Sequence, residues 1–232
     1  MLGLLALASP VHAQSIPNQA AIDEAIRQEL ANDPLTASVK KSLQSVVAIT
    51  ILTETMRGAA SGVVLTKNGL ILTNKHVVAN SKALYVVTLP DGTQKVAKIW
   101  YRDPVQDFAL IKIDSKFKNV ATLGASSKLT LGQRVAAIGN AHGLNKNAIS
   151  AGVIFAIDTK IHAKTVSGSV EENLSGLIVT TAPITVGYSG GPVVTTNGTV
   201  IGLNVATDGV RGYAIPIDEI KTKIKGYLQS VY

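Results

Sequence analysis

The sequence predicts an all-β chain built as two six-stranded antiparallel β-barrels packed together, with a helical segment before them and a helix after them. Three observations predict this. Short runs rich in β-branched residues recur between turn signals, at the spacing of barrels and sandwiches. Aromatic residues are only 4% of the chain, so Val, Ile, Leu and Ala must build the core, and 20 glycines supply turns. The runs also fall into two sets of six, joined near residues 124–130. At 232 residues, 46% hydrophobic and 16% charged, the chain is too apolar for disorder and long enough for two small barrels sharing an interface.

In chain order, residues 1–13 read as an export signal, which implies a periplasmic or secreted location. An apolar run at 2–8 is followed by Ser9-Pro10 and Val11-His12-Ala13, whose small residues suggest cleavage after Ala13. No Lys or Arg precedes the run, so the start of the signal reads as missing or wrongly assigned. Residues 14–44 form a helical extension, with Ile22, Ala25, Ile26 and Leu30 as one stripe that Asp33-Pro34 breaks. The first barrel, 45–125, takes strands from 46–53, 62–65, 70–73, 84–89, 96–100 and 108–113. Lys67-Asn68-Gly69, Pro90-Asp91-Gly92 and Asp103-Pro104 are its turns. The second barrel, 126–232, takes strands from 134–139, 150–157, 177–181, 192–195, 200–206 and 212–215. Its turns fall at 140–143, Thr196-Asn197-Gly198 and Asp208-Gly209. A last helix follows, capped by Asp218, with Ile220, Ile224 and Leu228 along one stripe.

The net charge of +7 comes from scattered lysines, among them Lys40-Lys41, Lys116, Lys118, Lys221, Lys223 and Lys225. No basic run interleaves with aromatics, so no nucleic-acid partner is expected. No stretch approaches the roughly 20 apolar residues of a membrane helix, so no stable membrane insertion is expected. The absence of cysteine excludes disulfides and thiol nucleophiles. No histidine–carboxylate ligand cluster stands out, so neither a metal nor an organic cofactor is expected.

The residues suited to chemistry lie in three segments. In Gly187-Tyr188-Ser189-Gly190-Gly191-Pro192 the glycines permit a sharp turn and a close approach to the serine. Such a turn can aim the N–H groups of Gly187 and Ser189 at the oxyanion of a tetrahedral intermediate. Alone, the segment equally describes a glycine-rich β-turn. A serine nucleophile requires a base. His12 falls in the signal, and His142 and His162 fall in polar, turn-like stretches. His76 follows the strand at 70–73, a rigid mount. Asp107 opens an apolar strand, where a carboxylate can be buried against an imidazole and fix its tautomer. Asp103 is the rival acid, and ahead of Pro104 it reads better as a turn residue. The order His, Asp, Ser is that of chymotrypsin-type enzymes. It puts His76 and Asp107 in the first strand set and Ser189 in the second, across a cleft.

The chain resembles the HtrA/Deg group of trypsin-like serine proteases. Members read T-N-x-H-V-V, then D-x-A-x-L-K-I, then G-N-S-G-G-P; here 73–78, 107–113 (with Ile111 for Leu) and 187–192 stand in those places. Ser61-Gly62, Asn68-Gly69, 137–140 and 213–216 support the match, which covers about 45–228. The resemblance implies that Ser189 attacks, His76 is general base, Asp107 orients it, and Gly187 and Ser189 supply oxyanion amides. Three departures stand out. Tyr188 replaces the usual Asn; 182–186 differs from the usual A-A-I-N-P; and the chain stops after the closing helix, so no PDZ domain is expected.

The expected function is a serine endopeptidase acting on extended or unfolded polypeptides in protein quality control. The alternative is a catalytically silent module that binds such chains, for which Tyr188 is the best argument. By resemblance, the primary pocket is walled by 183–186 and 204–207, with Ile184, Asn204, Val205 and Ala206 as substrate-binding residues. Its aliphatic lining suits small or medium apolar side chains and rejects charge. Family members often trimerise through aromatic-bearing N-terminal segments. Residues 14–45 hold no aromatic, which leaves monomer and homotrimer both open.

Overall fold

Continuous apolar runs, rather than alternating ones, mark strands buried on both faces, and several strands here are of that kind. The structure, a computed structural model, describes residues 33–140, 148–164 and 171–229 together with Glu24, Gln28 and Asn32. Met1–Asp33 and Pro34–Tyr232 are separate units. In the first, Gln28 Nε2 donates to Glu24 Oε1 at 3.0 Å. The expected signal and the stripe Ile22, Ala25, Ile26 and Leu30 lie outside the described residues.

The second unit opens with helix α1 (Pro34–Ser42), whose buried Leu35 and Val39 pack toward the second sheet. Asn32 is helical and Asp33 is not, so Asp33-Pro34 interrupts the helical stretch as expected; it also opens this new helix, because proline at the first helical position gives up an N–H that has no partner there anyway. Seven strands follow: β1 (Val46–Leu52), β2 (Arg57–Val64), β3 (Leu70–Thr73), β4 (Leu84–Thr88), β5 (Gln94–Val96), β6 (Lys98–Arg102) and β7 (Ala109–Lys112). They form one antiparallel sheet in the order β5-β4-β1-β2-β3-β7-β6. The expected first barrel is thus present as a seven-stranded sheet, one strand more than the six expected. The run at 96–100 divides at Ala97, whose N–H donates to Tyr85 O at 2.9 Å. The segment before that corner pairs with β4 and the segment after it with β7, so the two edges meet through a bend in the chain.

The second set is a closed six-stranded barrel of β8 (Arg134–Gly139), β9 (Ala148–Lys164), β10 (Glu171–Thr180), β11 (Pro192–Thr195), β12 (Val200–Thr207) and β13 (Gly212–Pro216). β9 and β10 outrun their expected lengths and pair as a long hairpin. His162 thus lies on a strand, 2.9 Å from Asn173 Oδ1, and not in a turn.

Neighbouring residues in the first sheet go to different cores, as a period of two requires. Val64, Ile71, Ala109 and Ile111 fill the sheet's own interior. Val63, Leu70, Leu72, Phe108 and Leu110 instead join Ile138, Val179, Val205 and Ile215 in a core shared with the second barrel. The closing helix α2 (Ile217–Gln229) adds Ile217, Ile220 and Ile224 to this shared core, with Leu228 partly buried against it. Tyr227 stacks near Tyr101 of β6 with ring centroids 4.8 Å apart. Asp218 is not the cap: it lies inside the first turn, and Ser126 Oγ accepts its N–H at 3.1 Å from another part of the chain. No described helix is long and apolar enough to cross a membrane.

Candidate active site

β3 ends at Thr73, and three residues later His76–Val78 form a 3₁₀ turn. Val77 and Val78 are buried and root that turn in the sheet. The Arg102 guanidinium donates to Val78 O from β6. The site's acid stands at the lead-in to β7, the strand paired with β3. Asp107 is 1% exposed, just before β7. Its Oδ2 lies 2.6 Å from His76 Nδ1, and its Oδ1 accepts the His76 backbone N–H at 2.8 Å. Asn74 Nδ2 holds the Asp107 backbone carbonyl at 2.8 Å. Both carboxylate oxygens therefore face one residue, which fixes the ring's position and leaves Nε2 as its outer nitrogen.

Asp103 takes a different part. Its Oδ1 accepts the N–H groups of Val105 and Gln106 at 3.0 and 2.7 Å, which shapes the turn that delivers Asp107. It also accepts Lys223 Nζ at 2.9 Å from α2 and the Tyr101 hydroxyl at 3.0 Å. Burial works against its charge, but the Gln106, Lys223, Val105 and Tyr101 donors win and hold its carboxyl below the usual range. Tyr101, half-buried and bonded to that carboxylate, is pushed up to about 12 by its loss of solvent and by that bond.

The serine turn comes from the second barrel. Tyr188 N–H donates to Thr185 O at 3.1 Å, Gly191 N–H to Tyr188 O at 2.9 Å, and Gly190 N–H to Asn204 O at 3.0 Å. Among the described residues, the N–H groups of Gly187 and Ser189 have no carbonyl partner. Gly187 at φ 100° and Gly190 at φ 81° occupy backbone conformations that favour glycine. Gly190 is also pressed against the first sheet: a Cβ there would lie 2.2 Å from Ser61 O and 2.3 Å from Thr73 Oγ1. The turn is thus seated beside Thr73, three residues ahead of His76.

Tyr188 does not stand out into solvent. Its side chain is 4% exposed and packs with Ala137, Ala182 and Ile184. It lies so close to Gly139 that a Cβ at that position would come within 2.5 Å of Tyr188 Cα. Burial pushes its phenol up.

Of the residues expected to bind substrate, Ile184 and Val205 are 9% and 7% exposed, and Ala206 is half-buried. Val205 is the extra residue of a β-bulge between β12 and β13. Asn204 is 1% exposed, and its side-chain amide is committed to Ile138 O and Pro192 O, each at 3.3 Å. Its backbone brackets the serine turn through Gly190 and Gly191, so it braces that turn. Asp208, the acid next to this wall in sequence, is engaged by Arg211 and Tyr213, each at 2.9 Å. Those bonds, with Arg211 and Val210 backbone N–H groups foremost, hold its carboxyl well below the usual range.

Sequence reasoning missed the parts played by Ser61, Thr73 and Asn74. Each stands inside or beside a motif already singled out, so their positions were visible although their bonds were not. His142 lies outside the described residues, as does the rest of the segment from 141 to 147.

The trypsin-like peptidase domain family model matches residues 60–203. The chain belongs to the trypsin-like peptidase family. Within it, the similarity is to HtrA-type members. The chain is 37% identical over 180 residues to the serine protease Do-like HtrB of Bacillus subtilis, covering 73% of this chain and 38% of that one. It is 37% identical over 164 residues to a probable periplasmic serine endoprotease, DegP-like, of Pseudomonas fluorescens, covering 68% and 32%. Among solved structures, Deg5 superposes with a TM-score of 0.68 at 32% identity, covering 84% of this chain and 92% of that one. The HtrA-type protease AlgW with tripeptide gives a TM-score of 0.67 at 30% identity, covering 81% and 62%. The chain spans about two fifths or less of the length of these curated relatives.

Proposed function

We propose that this trypsin-like peptidase chain is a serine endopeptidase in which Ser189 attacks, His76 moves the proton and Asp107 holds His76. The observation that carries the reading is the doubly bonded His76–Asp107 pair beside a glycine-walled serine turn. With Nδ1 engaged by Asp107, Nε2 is the nitrogen that takes the Ser189 proton as Oγ adds to the scissile carbonyl. The buried carboxylate then stabilises the imidazolium. The N–H groups of Gly187 and Ser189 stabilise the oxyanion. Collapse breaks the C–N bond, His76 protonates the leaving amine, and water repeats the sequence on the acyl-enzyme. No step calls for a cofactor.

Substrates are extended or unfolded polypeptides, because a cleft between two sheets accepts a strand more readily than a folded surface. The expected setting is protein quality control in the periplasm or outside the cell. Supporting it are the signal-like residues 1–13 and the DegP-like relative whose name includes the word periplasmic. The buried Tyr188 side chain weakens the case for a catalytically silent module.

A fluorophosphonate probe tests the reading. Wild-type protein is expected to carry the adduct on Ser189 and to fragment unfolded casein, and S189A to do neither. Unlabelled wild type that leaves casein intact would return the chain to a binding role. N-terminal sequencing of protein from its native cell tests export, with Gln14 expected first.

A further inference from the structure

We propose that Ser61 is a positioning residue for the oxyanion-binding turn and acts through its hydroxyl; this rests on the protease reading above. Ser61 stands on β2 in the first sheet and is fully buried. Each of its polar groups reaches a different part of the site. Its Oγ donates to Gly187 O at 2.7 Å and accepts the Asn140 N–H at 2.7 Å. Its N–H donates to Ser189 O at 2.8 Å. Its C=O accepts the Thr73 hydroxyl at 2.8 Å, three residues before His76.

The consequence is clearest peptide by peptide. The 187–188 peptide is held at its carbonyl by Ser61 Oγ and at its N–H by Thr185 O. The 189–190 peptide is held at its carbonyl by Ser61 N–H and at its N–H by Asn204 O. Between them, the 188–189 peptide is held at its carbonyl by Gly191, and its N–H is the Ser189 amide. Ser61 thus fixes the planes on both sides of the amide assigned to the oxyanion.

The hydroxyl matters most at Gly187. With no Cβ, and at φ 100°, this residue has little steric resistance to rotation of its peptides. Hydrogen bonds must set its geometry instead. Electrostatic stabilisation depends on donors aimed in advance at the developing charge. The Ser61–Gly187 bond supplies that aim from 126 residues away in sequence, across the two sheets.

The test compares wild type, S61A, S61T and V63A. S61A removes the hydroxyl and keeps the backbone bonds to Ser189 and Thr73. V63A loosens the same strand without touching the turn. The readouts are melting temperature, the rate of fluorophosphonate acylation, and kcat and KM on a peptide amide. S61A is expected to lower acylation rate and kcat by ~10- to 100-fold with KM nearly unchanged. S61T and V63A are expected to stay near wild-type rates. Wild-type rates in folded S61A overturn the proposal. So does an equal loss of kcat in V63A, and so does a folded S61T as slow as predicted for S61A. If S61A does not fold, S61T and V63A decide by the same criteria. Unreactive wild type overturns the protease reading itself, and with it this proposal.

Discussion

His76 and Asp107 meet at two points: Oδ2 of the acid faces the ring at Nδ1, 2.6 Å away, and Oδ1 faces the backbone N–H, 2.8 Å away. One bond would orient the ring. Two fix both the ring and the chain that carries it, which makes the acid sensitive to a change of one atom.

Asp107→Asn should therefore abolish most activity, because an amide cannot accept through both groups and favours the wrong tautomer. The loss expected for such an exchange is about 10⁴-fold in kcat. Asp103→Asn keeps an acceptor for the turn but loses the charge facing Lys223, so it should lower the melting temperature and leave kcat largely intact. Steady-state kinetics and thermal melts of the two variants check this. The reverse ranking would mean that the acid is misassigned.

Acid should weaken the Asp103–Lys223 link. The folded carboxyl lies below its ordinary range, so its stabilising effect is present above about pH 4, the unfolded value. The effect is lost as pH falls through the lower folded value. The melting-temperature gap between wild type and D103N should be open at about pH 6 and narrow steadily below about pH 4. A gap independent of pH would show that the loss lies in packing and not in charge.

Gly190→Ala should unfold or inactivate the protein, whereas Gly209→Ala should cost only backbone strain. Both glycines have positive φ, 81° and 88°, but a Cβ at Gly209 meets nothing within 4 Å. Strain alone is worth about 1–3 kcal/mol. Thermal melts isolate the collision of residue 190 with Ser61 and Thr73 as the difference between the two variants. Equal melting temperatures would argue that the turn sits elsewhere in solution.

Cleavage should follow Val, Ile, Leu or Ala. Ile184 and Val205 are apolar and nearly buried, and Asp208 is occupied by Arg211 and Tyr213. A charged side chain entering such a wall would lose several kcal/mol of hydration without a partner. Mass spectrometry of fragments from an unfolded protein gives the answer directly. Termini rich in Lys, Arg or Glu would refute it.

The sequence by itself determined the strand content, the glycine-walled serine and the candidate histidine and acids, because strand burial and turn chemistry leave local patterns. Strands such as β3 and β7 were legible as continuous apolar runs, since each buries one face inside its own sheet and the other against the second barrel. What it could not determine were pairings between distant residues. The bend at Ala97, whose N–H meets Tyr85 O, turned one expected strand into two. Ser126, not Asp218, caps the last helix at its second residue, from 92 positions away. Asn204, expected on a substrate wall, spends its amide on Ile138 and Pro192. Asp103 and Asp107 are near neighbours in sequence, and only the folded chain gives one to Lys223 and the other to His76. Local periodicity reports which face of a strand is buried. Which donor meets which acceptor depends on how the sheets pack, and that is decided by the whole chain.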